Sequence, residues 1–461
     1  MPLIGIDIGT SFIKGAALDL EARRFGRVRR LPFPEPLPGR PPLHREFDPG
    51  AIMAAVRELI AALLPDAAPC EGLLICGLMH GLVWADAHGQ PRSPLTTWQD
   101  QRVLEPHPSG AGSFFDVLAA QVAPDERRQL GNELRAGQPL GLLFWLAEQR
   151  RLPAPSLTPA SLPDFVAANL CATQPTTAPT NAMAHGALNL DTMRWHEPLL
   201  ERLGLGGLCW PAVQPEGSIV GLAEVGGRSI PCYMPVGDFQ CALAGALLAP
   251  AELSLNIATG SQASMLLPER AFGDFQTRPF FDGRFLATIT HIPAGRSLSA
   301  LVALLSELAV GQGVALPDPW RYIADAAART PATRIEADLA FFSSSYGDAG
   351  ALAGLHEEEL TVGHLFRAAF ERMAATYHHA ALRVARGQGW RGLVLSGGLA
   401  QKLPALRDTI AARFGTPYRF APSSEDTMLG LLALGLAFSG RASSLGAAAR
   451  MLASYREAGA E

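Results

Sequence analysis

The stretch that decides the fold lies at the N-terminus, where residues 3–14 read Leu3-Ile4-Gly5-Ile6-Asp7-Ile8-Gly9-Thr10-Ser11-Phe12-Ile13-Lys14. Apolar and small residues fill positions 3–8, small polar residues interrupt them at 9–11, and the apolar pattern resumes at Phe12. This pattern predicts a strand, a tight turn and a second strand. Gly9 lets the turn approach a ligand closely, and Thr10 and Ser11 offer hydroxyl and backbone N–H donors that suit phosphate oxygens.

Two charged residues flank this turn. Asp7 ends the first strand, where a carboxylate suits Mg²⁺ held through water, since that ion retains waters and takes few carboxylates. Lys14 is one of only two lysines among the 38 lysine and arginine residues, and its compact ammonium is a candidate phosphate contact. No G-x-x-x-x-G-K-[ST] pattern occurs, so the turn is not a P-loop. An ordinary glycine-containing hairpin is the alternative interpretation.

A second pair of apolar segments, from Leu253 to Leu267, encloses the small residues Thr259-Gly260-Ser261. A further short apolar strand, 393–395, leads into Ser396-Gly397-Gly398. A duplicated nucleotide-binding fold needs one phosphate-facing hairpin in each half, and a glycine turn can lie against a nucleotide. Chance similarity between two hairpins is the alternative. Residues 83–86 and 89–90 also suggest a hairpin.

An acidic residue, Asp238, precedes a helical pattern over 241–248. Aspartate at the start of a helix is common for structural reasons, because it caps the first N–H groups. In a functional role, the helix N-terminus would favour the ionised carboxylate. That carboxylate could accept a hydrogen bond from a hydroxyl and orient it for phosphoryl transfer.

Polar and aromatic residues cluster after the predicted strand 73–78. The first group is Met79-His80-Gly81, and the second is Thr97-Trp98-Gln99-Asp100-Gln101-Arg102. An apolar ring face beside several hydrogen-bonding groups suits a polyhydroxylated sugar. A surface loop with a half-buried tryptophan would have a similar composition.

The composition excludes several classes of protein. The chain has 461 residues and a net charge of −5, which indicates neither nucleic acid nor an anionic membrane as a partner. Its six cysteines show no C-x-x-C spacing, as expected in a reducing compartment. The N-terminus has no basic segment, and the most apolar run, 428–439, is too short to span a bilayer. We expect a cytoplasmic enzyme.

In this order, the segments resemble the FGGY family of carbohydrate kinases over nearly the whole chain. The resemblance implies an α/β, two-domain actin-like ATPase fold (ribonuclease H-like or hexokinase-like) with an interdomain cleft, divided into 1–233 and 234–461. It implies ATP and Mg²⁺, Asp238 as catalytic base, and Asp7 near the metal and the transferring phosphate. The nucleotide contacts would come from Gly9, Thr10, Ser11, Lys14, Thr259, Gly260, Ser261, Gly397 and Gly398. The sugar contacts would come from Met79, His80, Gly81, Trp98, Asp100, Arg102 and Gln240.

Within the family, Thr97–Asp100 and Gly237–Gln240 look more like sedoheptulokinases than xylulokinases. Sedoheptulose is therefore the expected substrate, with xylulose or ribulose as alternatives. The chain departs from the family at Leu78, where glutamine is usual, and at the Thr-Gly-Ser second turn. An actin-like ATPase and a sugar-sensing pseudokinase are the alternatives from other classes. Family analogy also predicts a homodimer.

Overall fold

The structure is a computed structural model that describes residues 2–342 and 344–458. In its first half the strands are β1 (Pro2–Ile8), β2 (Phe12–Asp19), β3 (Arg24–Phe25), β4 (Arg29–Pro32), β5 (Glu46–Phe47), β6 (Leu73–Gly77), β7 (Val83–Ala85), β8 (Leu95–Thr96), β9 (Thr158–Ala160), β10 (Thr176–Thr177), β11 (Leu188–Asn189), β12 (Arg194–Trp195), β13 (Ala212–Val213), β14 (Ile219–Val225), β15 (Arg228–Tyr233) and β16 (Val236–Gly237). The helices of this half are α1 (Pro49–Leu63), α2 (Phe114–Gln121), α3 (Pro124–Gln129), α4 (Pro139–Glu148), α5 (Leu162–Cys171), α6 (Pro179–Ala182), α7 (Glu197–Arg202) and α8 (Asp238–Gly245).

In the second half the strands are β17 (Glu252–Asn256), β18 (Gly260–Leu267), β19 (Gln276–Pro279), β20 (Phe285–Pro293), β21 (Glu336–Asp338), β22 (Ala351–Ala353), β23 (Gly392–Ser396) and β24 (Tyr418–Phe420). The helices are α9 (Gly295–Gly311), α10 (Pro319–Arg329), α11 (Val362–Ala385), α12 (Gly398–Lys402), α13 (Pro404–Phe414), α14 (Asp426–Phe438), α15 (Leu445–Met451) and α16 (Ala453–Ala458).

The first sheet is built on the N-terminal hairpin that the sequence predicts. Its strand order is β14-β15-β6-β1-β2-β3, with β16 also paired to β6 and β4 to β2. β1 runs antiparallel to β2 and parallel to β6. All residues of β6 are buried, which explains its continuous apolar sequence. The carboxyl ends of β1, β6 and β16 therefore lie together at one edge of the sheet.

The second sheet repeats this arrangement. Its order is β19-β20-β18-β17-β23-β24. β17 is antiparallel to β18 and parallel to β23, as β1 is to β2 and β6. The similarity of the two predicted hairpins therefore extends to the strand that pairs beside each of them. The hairpin predicted over 83–90 is confirmed, since the Asp86 N–H donates to the Gln90 carbonyl at 3.0 Å and Ala85 forms an antiparallel bridge with Pro91, while β7 also pairs with the distant β9.

Helix α14 joins the two halves through a shared core. Its leucines pack in one cluster with Leu3 and Leu74 of the first sheet and with residues of α8. The two helices cross closely, since a Cβ on Gly430 would stand 2.0 Å from the Cys241 carbonyl oxygen. Any side chain there would force α8 away from α14. Within the described part of the chain, no helix is both long and apolar enough to cross a membrane.

Candidate active site

Asp7 lies at the buried end of β1 and is held by two neighbours. Asp7 is only 4% exposed. Its Oδ2 accepts a hydrogen bond of 2.7 Å from Thr427 Oγ1, at the start of α14, and lies 3.2 Å from Lys14 Nζ. Lys14 is directly opposite Asp7 in the β1–β2 register. The helix that follows the second sheet therefore fixes a carboxylate on the first sheet.

Asp238 follows β16 and is the first residue of α8. The preceding turn is anchored by α6, because Gly237 N–H donates to Thr180 Oγ1 at 3.3 Å and Asn181 Nδ2 donates to the Pro235 carbonyl at 3.1 Å. Asp238 Oδ1 accepts only the Phe239 N–H, at 2.7 Å. Its second carboxylate oxygen has no hydrogen bond among the described residues, so it is open to a ligand.

The ionisation of Asp238 differs from the sequence expectation. We expected the helix N-terminus to favour the charged form, but burial and then the charge of Asp7 raise the pKa of Asp238 to about 7. Burial and Asp7 likewise raise the pKa of Asp426, the first residue of α14. Desolvation and a second carboxylate outweigh the helix dipole, whose effect is worth only about 1 kcal/mol. The carboxyl therefore titrates near neutrality, in the range suited to a general base.

The Met79-His80-Gly81 segment lies directly after β6. His80 has a positive φ of 63° and its Nδ1 lies 2.8 Å from the Ala184 carbonyl oxygen. Because a carbonyl only accepts, Nδ1 carries the proton and Nε2 presents a lone pair when the ring is neutral. Burial lowers the pKa of His80 to about 4, which keeps the ring neutral at pH 7. Met79 packs beside Phe239, and Gly81 is buried against the Thr96 carbonyl.

The second polar segment is already internally paired. Asp100 accepts from Arg102 through both carboxylate oxygens, at 2.8 and 2.6 Å, and also from the Arg45 N–H. Arg102 continues to Glu46 at 2.7 Å. Trp98 is 45% exposed, so its ring is accessible to a ligand. His80, Thr97, Asp100 and Arg102 line one small cavity, so the structure brings the two predicted sugar segments together.

Sequence reasoning missed an ion pair that bridges the two halves beside this cavity. Glu133, 1% exposed in side chain, accepts from Arg278 Nε at 2.8 Å and pairs with its Nη2. Arg135 reaches across the same gap to Thr290 Oγ1 at 2.7 Å. Although burial opposes it, the two guanidinium groups lower the pKa of Glu133 to about 2. The Arg278 guanidinium also lies 4.8 Å from the ring centre of Phe239, next to Asp238.

Gln240 is fully buried one turn into α8. Its Nε2 donates to the Pro279 carbonyl at a long 3.4 Å, and its Oε1 has no partner among the described residues. A Cβ on Gly237 would stand 2.8 Å from that Oε1. The amide oxygen therefore lies close to the turn that carries Asp238, on the side expected for the sugar.

The first candidate phosphate turn is exposed at Thr10 and Ser11. Gly9 N–H donates to the Phe12 carbonyl at 3.0 Å, which closes the turn. Lys14 does not point freely to this turn, because its Nζ lies between Asp7 and Glu425, 3.3 Å from the latter. For Lys14 to bind a phosphate as expected, its ammonium group would have to leave one of these two carboxylates.

The second candidate phosphate turn is held from two sides. Gly295 N–H donates to the Ala258 carbonyl at 3.1 Å, and Leu399 N–H donates to the Ile257 carbonyl at 3.1 Å. Thr259 and Gly260 are exposed, whereas the Ser261 hydroxyl bonds to Tyr377 Oη at 2.8 Å inside the core. Only the backbone of Ser261 therefore remains for the predicted phosphate contact. Gly397, at φ 89°, packs against Ile257, so the glycine turn and the second hairpin form one surface.

The donor set fits a hydrated cation rather than a fully protein-bound metal. Burial and the charge of Asp7 raise the pKa values of both Asp238 and Asp426, and a divalent cation beside these carboxyl groups would relieve the repulsion. Among the described residues, no group of three or more His, Cys, Asp or Glu side chains is arranged to hold a metal directly. Asp7 and Asp238 each have one carboxylate oxygen without a hydrogen bond, which suits contact through water.

The topology of the two sheets defines the class of protein. Two sheets of like topology, each with a hairpin turn at the end of its first strand, form the two-domain actin-like fold. Solved structures of the same fold include a gluconate kinase from Lactobacillus acidophilus, with a TM-score of 0.83, 16% identity, and coverage of 98% of this chain and 92% of that chain. A glycerol kinase from Plasmodium falciparum with ADP has a TM-score of 0.82, 16% identity, and coverage of 98% and 92%.

The family is defined by the N-terminal half. Residues 2–228 match the family model of the N-terminal domain of the FGGY family of carbohydrate kinases, and this part of the chain belongs to that family. Among curated relatives, an apulose kinase from Pectobacterium atrosepticum is 28% identical over 287 residues, which cover 56% of this chain. The chain spans about half the length of that relative, 53%.

Proposed function

We propose that this protein phosphorylates a hydroxyl group of a sugar, with ATP as the phosphoryl donor and Asp238 as the general base. The observation that carries the proposal is the half-buried Asp238 carboxyl, with a pKa of about 7 and one open oxygen, at the N-terminus of α8. At neutral pH about half of such groups are ionised and able to accept a proton. Phe239 N–H fixes the carboxyl orientation.

In the proposed step, the sugar hydroxyl oxygen forms a bond to the γ-phosphorus of ATP while the bond from that phosphorus to the bridging oxygen breaks. The hydroxyl proton passes to Asp238, and ADP leaves. Mg²⁺, when bound, would neutralise charge on the phosphate oxygens. Asp7 would hold it through water, and Thr427 keeps that carboxylate in place.

The nucleotide would lie between the turn at residues 9–11 and the surface formed by Thr259, Gly260, Gly397 and Gly398. Exposed backbone at both turns supports this placement, because phosphate oxygens accept hydrogen bonds from backbone N–H groups. Gly260 and Gly398 have no neighbouring atom within 4 Å of an added Cβ, which leaves open space for the ligand on both.

The sugar would lie in the cavity at His80, Asp100 and Arg102, with Trp98 beside it and Gln240 on the side of Asp238. Sedoheptulose remains our first prediction, followed by xylulose and ribulose. The named relatives widen the choice, since they include an apulose kinase, glycerol kinases and an autoinducer-2 kinase. Gluconate and xylulose kinases are among the solved structures of this fold.

A coupled ADP-release assay with ATP and Mg²⁺ tests the proposal against sedoheptulose, xylulose, ribulose, apulose, gluconate and glycerol. We expect ADP release that depends on one of these compounds. Release without any sugar would favour an actin-like ATPase. Thermal shifts with ATP alone, sugar alone and both would reveal a sugar-sensing pseudokinase, because a bound ligand stabilises the folded state even without turnover.

We also infer a cytoplasmic location from the cysteine usage and a homodimer from family analogy. Fractionation of cells that express the tagged full chain tests the location. Sedimentation velocity of the purified chain tests the dimer, and a monomer at working concentration would contradict it.

A further inference from the structure

Gln138 is a buried amide with half of its hydrogen-bonding capacity unused. The residue is 2% exposed and immediately precedes α4. Its Oε1 accepts from the Arg135 N–H at 2.9 Å, and its Nε2 has no partner among the described residues. The backbone donor fixes which end of the amide is oxygen, so Nε2 is a donor. Buried polar groups nearly always have partners, and an exception calls for an explanation, such as a water, an ion or a functional role.

Helix capping does not explain this side chain. Gln138 occupies the position before the first residue of α4, yet its side chain accepts no hydrogen bond from the helix. The amide instead lines the cavity that His80 and the Asp100–Arg102 pair also line. The free donor therefore belongs to a residue in the wall of the proposed sugar site and has no backbone partner among the described residues.

His80 supplies the complementary group in the same cavity. Its Nδ1–H donates to the Ala184 carbonyl, and its Nε2 has no hydrogen bond among the described residues. Asp100 and Arg102, in contrast, satisfy each other. The cavity thus offers one free neutral donor and one free neutral acceptor. A hydroxyl group matches both, since it accepts and donates at once.

We propose that Gln138 is a specificity-determining residue, whose Nε2–H donates to a sugar hydroxyl that in turn donates to His80 Nε2. This inference rests on the proposed function and adds the residue that selects the sugar. A substrate with hydrogen or a methyl group in place of that hydroxyl would leave both groups buried and unpaired. Sites built on such hydrogen bonds discriminate strongly against analogues that lack the partner.

The test compares Gln138→Met, which removes the donor at similar size, with the wild type and with Gln388→Met on an exposed glutamine. Sugar affinity is measured by calorimetry without ATP, and KM and kcat by ADP release, for the best sugar and its single-deoxy analogues. We expect Gln138→Met to weaken sugar binding roughly tenfold or more, with ATP binding unchanged. One deoxy analogue should bind the wild type more weakly by a similar factor, and the affinity it loses relative to the parent sugar should be smaller in Gln138→Met, where only the hydrogen bond to His80 remains to be lost.

The inference would be overturned if, for every deoxy analogue, the affinity lost by removing the hydroxyl group simply added to the affinity lost in Gln138→Met. Unchanged sugar affinity in Gln138→Met would overturn it as well. If Gln138→Met does not fold, as judged by ATP binding, Gln138→Glu replaces it. That variant retains an oxygen for the Arg135 N–H but has no donor, so full sugar affinity in it would equally overturn the inference. Sugar binding without phosphorylation by the wild type would instead contradict the proposed function, and the calorimetric comparison would still decide the role of Gln138.

Discussion

Asp7 lies near the end of β1 and Asp238 directly follows β16, two strands that pair with opposite sides of β6, and the charge of Asp7 adds to burial in raising the pKa of Asp238 to about 7. The two carboxyl groups are therefore coupled by the topology of the sheet. One approaches the site at the end of a hairpin strand, and the other at the start of a helix. Two acids in different environments can take different roles in one reaction.

The first prediction concerns pH. A base with a pKa of about 7 is protonated in acid, so kcat/KM for the sugar should rise about tenfold per pH unit below neutrality and level off above it. The profile is measured by ADP release, with the coupling enzymes checked at each pH. Asp274→Asn, on an exposed carboxylate, should keep the same profile. A flat profile between about pH 5.5 and pH 8 would remove Asp238 from the role of base.

Asp238→Asn should separate activity from stability. We expect kcat to fall by roughly 10²–10⁴ while ATP still binds, because the amide cannot accept the proton. The raised pKa means that the folded wild type retains a proton which the unfolded chain releases, so its stability falls as pH rises from about 4 to about 7. Asp238→Asn has no carboxyl that titrates here, so its stability does not fall over this pH range. At pH 8 its free energy of unfolding should exceed that of the wild type by about 1.4 kcal/mol per unit of pKa shift.

Urea unfolding of wild type and Asp238→Asn at about pH 5 and pH 8 measures this difference. Asn retains the acceptor for the Phe239 N–H, so the start of α8 should be preserved. An equal stability difference at both pH values would show that Asp238 does not titrate in this interval in the folded protein.

The next prediction concerns the ion pair between the two halves. Glu133→Gln leaves Arg278 buried without its countercharge, and breaking such a pair costs about 3–5 kcal/mol of unfolding free energy. Replacing both partners, with Glu133→Gln and Arg278→Met together, should cost less than the sum of the single changes. Urea unfolding measures the four proteins. Asp125→Asn, in an exposed pair with Arg128, should change stability by about 0.5 kcal/mol or less. Additive costs would show that Glu133 and Arg278 do not stabilise each other.

Local patterns predicted the elements that carry the two key carboxylates. The β1–β2 hairpin and the helix that follows Asp238 were predicted from short-range sequence signals; the structure confirms both, with the helix three residues earlier than the predicted 241–248. The Glu133–Arg278 pair could not be predicted in this way, because its partners are 145 residues apart and neither belongs to a recognisable motif. Pairing across a fold depends on tertiary packing rather than on local propensity.

Side-chain direction was the other limit of the sequence analysis. Ser261 was predicted with the phosphate turn, but it is the second residue of β18 and its hydroxyl faces Tyr377. Successive residues in a strand point to opposite faces, so a shift of one position along the strand turns a side chain from the ligand side to the core. Lys14 was predicted as a phosphate contact from the rarity of lysine in this chain, its compact ammonium and the family resemblance, and the two carboxylates beside it were not apparent from the sequence.

The last prediction concerns the glycine turn that we place against the nucleotide. Gly397 has a φ of 89°, and a Cβ there would stand 2.4 Å from the Ile257 carbonyl oxygen. Gly397→Ala should therefore push the turn away from the 257–260 segment and raise KM for ATP, roughly tenfold or more, with sugar affinity unchanged. Gly389→Ala is the control, because no atom lies within 4 Å of its added Cβ. ATP and sugar affinities are measured separately by calorimetry. Equal losses of both affinities would indicate general destabilisation, and unchanged ATP affinity would place the nucleotide elsewhere in the cleft.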